Sequence, residues 1–563
     1  MYKGTTPRIR KVLYALIIAF ALLCIRLVFV QLGAAKSLSN IASGQYRLAI
    51  SLLPKRGVIY DRNLKELAIN INLASVFAEP FRIKDKGSAS LELSAALGIG
   101  RDEIYKKLSG GKGFVWLARK VSPDTARRVR ALNIKGIDFI KEPQRVYPNG
   151  VIASHILGFA DMDNNGLEGL ELRFDKYLKG FMGWRYATRD AKQREVPAYV
   201  YREIPPVDGS DIVLTIDSLI QSIAESELEY GFKKYHAKGA CVIVMDPFTG
   251  DILALSNRPT YNPNNAGSAP PDFRRNRAVC DFFEPGSSFK IITASGLLEE
   301  KAVSPDEKFF CENGEYKWSR HIYHDHKPHG WLTFRDVIKY SSNIGTMKAA
   351  QKLGPDRMYK YIKKFGFGEK RGIDLPGEVT GITSHPNTWS KLSLCSIAMG
   401  QEVTVTAIQL ACAISVLANG GSLVKPRIVD RVQDGAGRVI EKFEPSNPQR
   451  IISEATAKEM RDILRGVVDS GTAELAEVDG YFPAGKTGTA QKVEPNGVYS
   501  HSKFTASFIG FVPYDNPRLV IVVIMDEPRP IYYGGVVCAP VFKKLAGQLM
   551  SYYKIWPETR KSR

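Results

Sequence analysis

The chain has 563 residues, room for about two to four domains, and its 44% of hydrophobic residues excludes global disorder. Its formal net charge of +20 suits a surface that meets nucleic acid, anionic lipid or an acidic polymer. No zinc-ligand spacing, P-loop or RNA-binding signature supports the nucleic-acid interpretation, and the sequence implies neither a metal nor a cofactor.

The N-terminus carries a basic cluster followed by an apolar run. Residues 1–11 contain four lysines and arginines, and residues 12–30 are apolar except for Arg26. Such a run roughly spans a bilayer, and the basic residues before it place the N-terminus in the cytoplasm. A signal peptide cleaved near residues 33–35 is the alternative. Because the run is long for a signal, we predict a cytoplasmic tail and an uncleaved anchor over residues 12–32.

The segment after the anchor mixes short strands with helices and contains no nucleophile–base pairing. Leu32–Ser51 is polar and is predicted to be a helical stalk that leaves the membrane. His155, which stands alone, is interpreted as a packing or hydrogen-bonding residue. The proline- and glycine-containing stretch at residues 205–209 is typical of a linker, so we place a domain boundary between Pro206 and Val207.

A strand, a helix and a hairpin open the second domain. Ile212–Ile216 is apolar and predicts a strand, and Ser218 with Gln221 three residues later predicts a capping box at the start of a helix. Two apolar runs separated by a turn then predict a hairpin, Cys241–Met245 and Ile252–Leu255.

A turn at residues 285–286 leads from there into a helix that is apolar on most of its circumference, which belongs inside a domain. Ser287 lies in its first turn, where unpaired N–H groups and the helix dipole favour developing negative charge. Lys290 shares a face with Ser287, and burial would favour its neutral amine. A serine beside an amine base is the arrangement of an activated nucleophile. The same Ser-x-x-Lys spacing occurs elsewhere, at Ser109, Ser500 and Ser551.

Two tripeptides that follow are more specific. Ser341-Ser342-Asn343 is the only Ser-x-Asn in the chain, and Lys486-Thr487-Gly488, followed by Thr489, is the only Lys-Thr-Gly. Ser-x-x-Lys, Ser-x-Asn and Lys-Thr-Gly, in this order, are the motifs of penicillin-binding proteins and class A β-lactamases.

The last quarter of the chain completes the predicted fold. Three successive strands are predicted at residues 484–493, 504–512 and 519–525, followed by an amphipathic helix. Helices between and outside the strand groups predict an α+β domain in which an antiparallel sheet is sandwiched by helices. Among the seven cysteines, Cys241 and Cys412 are predicted to be buried thiols, while a Cys280–Cys311 disulfide remains open.

Nearly the whole chain resembles the class B penicillin-binding proteins, which are single-span peptidoglycan D,D-transpeptidases. Stretches around Arg56-Gly57, residues 145–158 and residues 166–169 are similar to the membrane-proximal domain of that class. The resemblance implies a non-catalytic pedestal domain of the dimerisation type, a transpeptidase (penicillin-binding) domain and a basic tail, over residues 33–206, 207–556 and 557–563.

Residues 274–279, leading into residues 283–286, are similar to the septal, cell-division branch of the family, whereas the elongation branch tends to carry proline where Glu284 stands. The resemblance implies a single-pass protein of the cytoplasmic (inner) membrane whose catalytic domain is extracytoplasmic, at the division septum. Implied partners are stem peptides ending in D-Ala-D-Ala, β-lactams as covalent inhibitors, a separate polytopic glycan polymerase and other division proteins.

The motifs also carry roles. Ser287 would attack the carbonyl between the two D-alanines, Lys290 would take its proton, and Ser341 would pass a proton to the leaving amine. Asn343 would hold a substrate amide. Thr487, Gly488 and Thr489 would bind the substrate. Lys486 would place a positive charge near the substrate carboxylate, and we count it among the catalytic residues. The backbone N–H groups of Ser287 and Thr489 would form the oxyanion hole. Which group is the acylation base is disputed in the wider superfamily.

Four alternatives stay open at this point. An elongation-type transpeptidase and a D,D-carboxypeptidase would carry the same motifs, and the carboxypeptidase would use water instead of an amine. A secreted β-lactamase would not need the anchor or the pedestal. A non-catalytic division scaffold would not need three intact motifs.

Overall fold

The computed structural model describes residues 6–34, 36, 38, 47–111, 113–189, 195–318 and 321–558. The chain divides into two compact units, residues 1–55 with 180–208, and residues 56–179 with 209–563. Each unit is described by itself, in the order of the chain.

The first unit begins with helix α1 (Thr6–Val28), which a π-helical turn at Phe29–Gly33 extends. Proline is tolerated in a first helical turn, so Pro7 does not interrupt the helix. Residues Pro7–Gly33 form one helical span of 27 residues with mean hydropathy 2.7, long enough to cross a bilayer. This span agrees with the predicted single-pass anchor.

The predicted helical stalk is wrong where the structure describes its end. Residues 35, 37 and 39–46 lie outside the described residues, but strand β1 occupies Arg47–Leu52. Leu48, Ile50 and Leu52 alternate with other residues, which is the period of a strand and not of a helix.

Residues 56–179 open the second unit with strands and short helices. Strand β3 pairs antiparallel with β2, β4 and β5. Apolar side chains of α2, α3 and α4 form a small core with β3 and β4. The elements are β2 (Ile59–Tyr60), β3 (Glu66–Ala78), α2 (Lys86–Leu97), α3 (Arg101–Ser109), β4 (Val115–Val121), α4 (Pro123–Ala131), β5 (Ile137–Val146), α5 (Ser154–Leu157), α6 (Gly169–Arg173) and α7 (Asp175–Leu178).

A buried ion cluster joins the stretches that resemble the membrane-proximal domain. Arg56 Nε and Arg145 Nε each lie 2.6 Å from a carboxylate oxygen of Glu171, and all three side chains are buried. Arg56 Nη1 lies 2.6 Å from Asp175 Oδ1. Nearby, His155 is buried and its Nε2 lies 2.8 Å from the Phe273 carbonyl oxygen, which agrees with the predicted packing role. These residues hold the fold together.

The chain then returns to the first unit through β6 (Gly183–Arg189) and β7 (Glu195–Ile204). Strands β1, β6 and β7 form an antiparallel sheet in that order, with Arg47 opposite Thr188 and Leu52 opposite Gly183.

Residues 209–558 complete the second unit. The strands are β8 (Asp211–Leu214), β9 (Gly239–Met245), β10 (Ile252–Arg258), β11 (Lys308–Phe310), β12 (Glu315–Trp318), β13 (His321–His324), β14 (Trp331–Thr333), β15 (Ser422–Leu423), β16 (Val429–Gln433), β17 (Val439–Lys442), β18 (Gln449–Arg450), β19 (Ala484–Val493), β20 (Tyr499–Val512) and β21 (Leu519–Asp526). The helices are α8 (Ser218–Lys234), α9 (Pro271–Arg274), α10 (Arg277–Cys280), α11 (Lys290–Glu299), α12 (Phe334–Lys339), α13 (Asn343–Leu353), α14 (Pro355–Lys364), α15 (Ser393–Ala398), α16 (Ala407–Ala418), α17 (Glu454–Ser470), α18 (Gly534–Val537) and α19 (Ala539–Tyr552).

The central sheet is antiparallel, in the order β10-β9-β21-β20-β19. The fully buried helix α16 packs on β9, β20 and β21, while α8 and α19 pack together against the same sheet. The predicted antiparallel sheet covered by helices is therefore confirmed. Strand β8 belongs elsewhere, because it pairs with β2 and β16 in a second, mixed sheet.

Two local predictions have different outcomes. The predicted capping box is wrong, since Asp217 caps α8 by accepting from Leu219 N and Ile220 N, and the Gln221 amide instead donates to Leu255 O. The cysteines are free, and the two predicted buried thiols are buried. The open Cys280–Cys311 pairing is not formed.

Candidate active site

The first motif lies on a tight turn. Gly286 has a φ of +53°, which glycine adopts readily, and Gly286–Phe289 form a 3-10 turn that runs into α11. Side chains three residues apart eclipse one another in a 3-10 helix, so Ser287 and Lys290 stack along one edge. Ser287 is half-buried, whereas Lys290 is fully buried.

Two close backbone approaches hold this turn. Gly286 N donates to Gly400 O at 3.0 Å, and a methyl group on Gly400 would lie 2.1 Å from Gly286 O. On β19, a methyl group on Gly488 would lie 2.8 Å from Pro285 O and 2.3 Å from Ser507 Oγ. Only glycine fits at Gly400 and Gly488, and this brings the nucleophile turn against the strand that carries Lys-Thr-Gly.

The second motif lies at the start of α13. Ser341 has a left-handed φ of +62° in the connection after α12, and Ser342 caps α13. Lys290 Nζ donates to Ser341 O at 2.7 Å and to Asn343 Oδ1 at 2.8 Å, and it lies 3.2 Å from Ser341 Oγ. The buried amine of the first motif is therefore held by Ser341 and Asn343 of the second.

The third motif lies on β19, the edge strand of the central sheet. Lys486 is fully buried, and its Nζ donates to Ser341 Oγ at 3.0 Å. The Ser341 hydroxyl thus lies between the two lysine amines. Thr487 Oγ1 lies 2.9 Å from Thr472 Oγ1, and Thr489 Oγ1 accepts from Gly534 N at 3.1 Å.

Burial sets the electrostatics of the lysine pair. Removal from water lowers the pKa of Lys290 to about 7, although the carboxylate of Asp325 and the thiol of Cys311 act in the opposite direction. Burial also holds the pKa of Lys486 well below its ordinary value, and the nearby charge of Lys290 adds to this effect. A neutral amine at Lys290 is therefore accessible near neutral pH.

Asp325 is a site residue that the motifs did not reveal. Its Oδ1 accepts from Asn343 N at 2.5 Å and from Ile344 N at 3.0 Å, and its Oδ2 accepts from Ser342 Oγ at 2.5 Å. The carboxylate therefore fixes the start of α13, and its negative charge acts on Lys290. Thr472, which contacts Thr487, was also missed. Both residues lie outside the motifs, and no spacing in the sequence connects them to the site.

The structure brings Lys290, Ser341, Asn343 and Lys486 into one hydrogen-bonded cluster. Ser287 lies three residues before Lys290 in the 3-10 turn, and Thr487, Gly488 and Thr489 lie on β19. Among the residues that the structure describes, the Ser287 hydroxyl has no hydrogen-bond partner. Catalytic hydrogen bonds often tighten only when substrate is bound. A half-exposed serine in the same 3-10 turn as a buried lysine of lowered pKa has the chemistry of acyl transfer.

Comparisons with known proteins identify the family of the chain. Residues 240–547 match the family model of the penicillin-binding protein transpeptidase domain, and residues 51–214 match that of the penicillin-binding protein dimerisation domain. Stage V sporulation protein D of Bacillus subtilis is 38% identical over 93% of this chain and 82% of its own length. Peptidoglycan D,D-transpeptidase FtsI of Escherichia coli is 31% identical over 89% of this chain and 84% of its own length. The crystal structure of penicillin-binding protein 3 from Mycobacterium tuberculosis, complexed with ampicillin, matches with a TM-score of 0.72 and 29% identity, covering 91% of this chain and 98% of that one.

Proposed function

Because this chain belongs to the class B penicillin-binding proteins, of the division and sporulation type, we propose that it is a serine-type peptidoglycan D,D-transpeptidase. The observation that carries the proposal is the Ser341 hydroxyl, which lies 3.2 Å from Lys290 Nζ and 3.0 Å from Lys486 Nζ. Its substrates are stem peptides ending in D-Ala-D-Ala, and β-lactams are its covalent inhibitors.

Acylation begins at Ser287. Its Oγ attacks the carbonyl carbon between the two D-alanines, and its proton passes to the neutral amine of Lys290. The backbone N–H groups of Ser287 and Thr489 donate hydrogen bonds to the developing oxyanion, each worth about 3 kcal/mol. As the C–N bond breaks, the Ser341 hydroxyl gives a proton to the departing nitrogen and takes one from the Lys290 ammonium, which lies 3.2 Å away, and terminal D-alanine leaves.

Substrate orientation falls to the third motif and Asn343. Lys486 supplies positive charge toward the terminal carboxylate, and the Thr487 and Thr489 hydroxyls hydrogen-bond it. Because β19 is the edge strand of the central sheet, we expect an extended peptide to bind along it. An amine from a neighbouring stem peptide then attacks the Ser287 ester, which forms the cross-link and frees the serine.

The test is labelling of the full-length protein with a fluorescent penicillin. Ser287→Ala is expected to abolish labelling while the protein stays folded. Ser288→Ala is the matched control, because Ser288 lies in the same turn but its hydroxyl is buried and donates to Pro285 O. Undiminished labelling of Ser287→Ala would remove the assignment.

Product analysis separates the transpeptidase from its enzymatic rivals. With a stem pentapeptide and an amine acceptor, a transpeptidase gives a cross-linked product, whereas a carboxypeptidase gives only the shortened peptide. The segment between Asn343 and Lys486 contains no Glu-x-x-Leu-Asn motif, which in class A β-lactamases supplies the base for hydrolysis. A chromogenic cephalosporin is therefore expected to give one burst of turnover, and sustained hydrolysis would favour a β-lactamase.

The cellular setting is part of the proposal. The basic residues of the first 11 positions, which precede the apolar run of α1, support a cytoplasmic N-terminus and an extracytoplasmic catalytic domain. The matches over residues 51–214 and 240–547 support a pedestal over residues 33–206 and a transpeptidase domain over residues 207–556. The partners are a polytopic glycan polymerase and other division proteins.

Wall synthesis at the septum is proposed, and similarity to a stage V sporulation protein favours spore wall synthesis as the second candidate. A fluorescent fusion to the full-length protein distinguishes them. Accumulation at every division site supports the septal role, whereas appearance only during spore formation supports the second role.

A further inference from the structure

Glu284, three residues before Ser287, connects the nucleophile turn to two other segments. Its Oε1 accepts from Glu402 N at 2.9 Å and from the Tyr499 hydroxyl at 3.1 Å. Its Oε2 is buried and has no hydrogen-bond partner among the described residues. One oxygen atom therefore makes both connections.

The first connection strengthens a short backbone ladder. Phe283 and Val405 exchange backbone hydrogen bonds of 3.0 and 2.9 Å, and Gly286 N donates to Gly400 O. Residues 400–405 thus run beside residues 283–286. Glu402 itself has a left-handed φ of +57°, which is strained for a residue with a side chain. The bond to Glu284 helps to hold this conformation.

The second connection reaches the opposite wall of the site. Tyr499 begins β20 and pairs with Val493 on β19, the strand that also carries Lys486 and Thr489. The Glu284 carboxyl is thus a side-chain link between the backbone that positions Ser287 and the hairpin that positions Thr489. Their two N–H groups must point at one oxyanion, so the distance between these segments matters for catalysis.

The link is built in spite of unfavourable electrostatics. Burial raises the pKa of Glu284, and the neighbouring charge of Glu402 acts in the same direction, against the two hydrogen bonds. The Glu402 carboxylate is fixed nearby by Ser393 Oγ at 2.6 Å. Both connections at Glu284 need an acceptor oxygen, and neither needs a negative charge.

We propose that Glu284 is a positioning residue for acylation, which sets the separation between Ser287 and Thr489 through its two hydrogen bonds. The inference rests on the proposed function, since it assigns a role in the acylation of Ser287. It requires an oxygen acceptor at residue 284, and it predicts that glutamine can replace glutamate there.

The experiment separates binding from chemistry in the reaction of the full-length protein, in detergent, with a fluorescent penicillin. Glu284→Leu keeps the bulk but accepts no hydrogen bond, and its limiting acylation rate constant is expected to fall about tenfold to 100-fold, since small misplacements have effects of this size. The dissociation constant of the preceding complex is expected to stay unchanged. Glu284→Gln is expected to acylate within about threefold of the wild type.

Tyr499→Phe removes one of the two hydrogen bonds and is expected to give an intermediate acylation rate constant. If Glu284→Leu fails to fold, this variant tests the positioning role in its place. The inference is overturned if the substituted proteins acylate at the wild-type rate, if Glu284→Gln is as slow as Glu284→Leu, or if only the dissociation constant changes. A wild-type protein that penicillin does not label overturns the proposed function itself, whereas a labelled wild type with unaffected variants overturns only the role of Glu284.

Discussion

Two regions of the second unit bury pairs of cationic side chains, and they do so in opposite ways. In residues 56–179, Arg56 and Arg145 share the carboxylate of Glu171 at 2.6 Å each. In the candidate active site, Lys290 and Lys486 share only the neutral Ser341 hydroxyl. The first arrangement neutralises charge, and the second leaves two buried amines without a directly bonded carboxylate.

The difference shows two ways in which a protein can accommodate the free-energy cost of burying a cationic side chain. A guanidinium stays charged in proteins, so an arginine pair must be compensated, and Glu171 compensates it. A lysine can lose its proton instead, and burial lowers the pKa of Lys290 to about 7. The arginines therefore suit a permanent structural joint, whereas Lys290 suits proton transfer.

The largest expected effect comes from removing the proposed base. Lys290→Met keeps the length of the side chain without an amine, and we expect acylation by penicillin to fall about 10³-fold or more, within the range for general base catalysis. The fold should survive, because no buried charge is left unpaired. The pKa of Lys290 is lower in the folded state than in the unfolded state. Burying the charged amine therefore lowers the free energy of unfolding by its full amount below pH 7, and this loss becomes smaller as the pH rises. The melting temperature of Lys290→Met should thus equal or exceed that of the wild type, most clearly below pH 7, and a large decrease would contradict the comparison.

Removing the compensating carboxylate tests the other region. Glu171→Ala leaves two buried arginines without their shared partner, and we expect a loss of about 3–5 kcal/mol in the free energy of unfolding. Urea denaturation measures this loss, with Asp175→Ala as the control for a partner that is more exposed. The acylation rate of the folded fraction should be unchanged, and a selective loss of acylation would show that this cluster acts on the chemistry.

The smallest expected effect concerns the pH profile. If neutral Lys290 takes the proton, the acylation rate of the wild type should decrease below a midpoint near pH 7 and level off above it. Asp325 raises the pKa of Lys290, so Asp325→Asn should move this midpoint to lower pH. An asparagine oxygen can still accept from the start of α13, so the fold should be kept. A midpoint that stays in place or moves upward would mean that Asp325 does not act on Lys290 through its charge.

Short periodic patterns explain what the sequence predicted correctly in the fold. The apolar runs at β9, β10, β20 and β21 are buried strands of one antiparallel sheet, and the N-terminal apolar run is one helical span. Local patterns gave wrong predictions at two places, where a strand was taken for a helix and where one of two adjacent residues could cap a helix. Arg47–Leu52 lies in a polar stretch but pairs as a strand, and Asp217 caps α8 in place of the adjacent Ser218.

The sequence by itself determined which motifs are present, because Ser-x-x-Lys, Ser-x-Asn and Lys-Thr-Gly depend only on residue types at fixed local spacing. It could not determine the contacts among them. Asp325 lies 18 residues before Asn343, and Glu284 lies 215 residues before Tyr499, so no local period connects either pair. The lowered pKa of Lys290 likewise comes from packing by distant segments, since desolvation is a property of the assembled interior. The tertiary structure alone decided which side chains meet and how far burial lowers the pKa of Lys290.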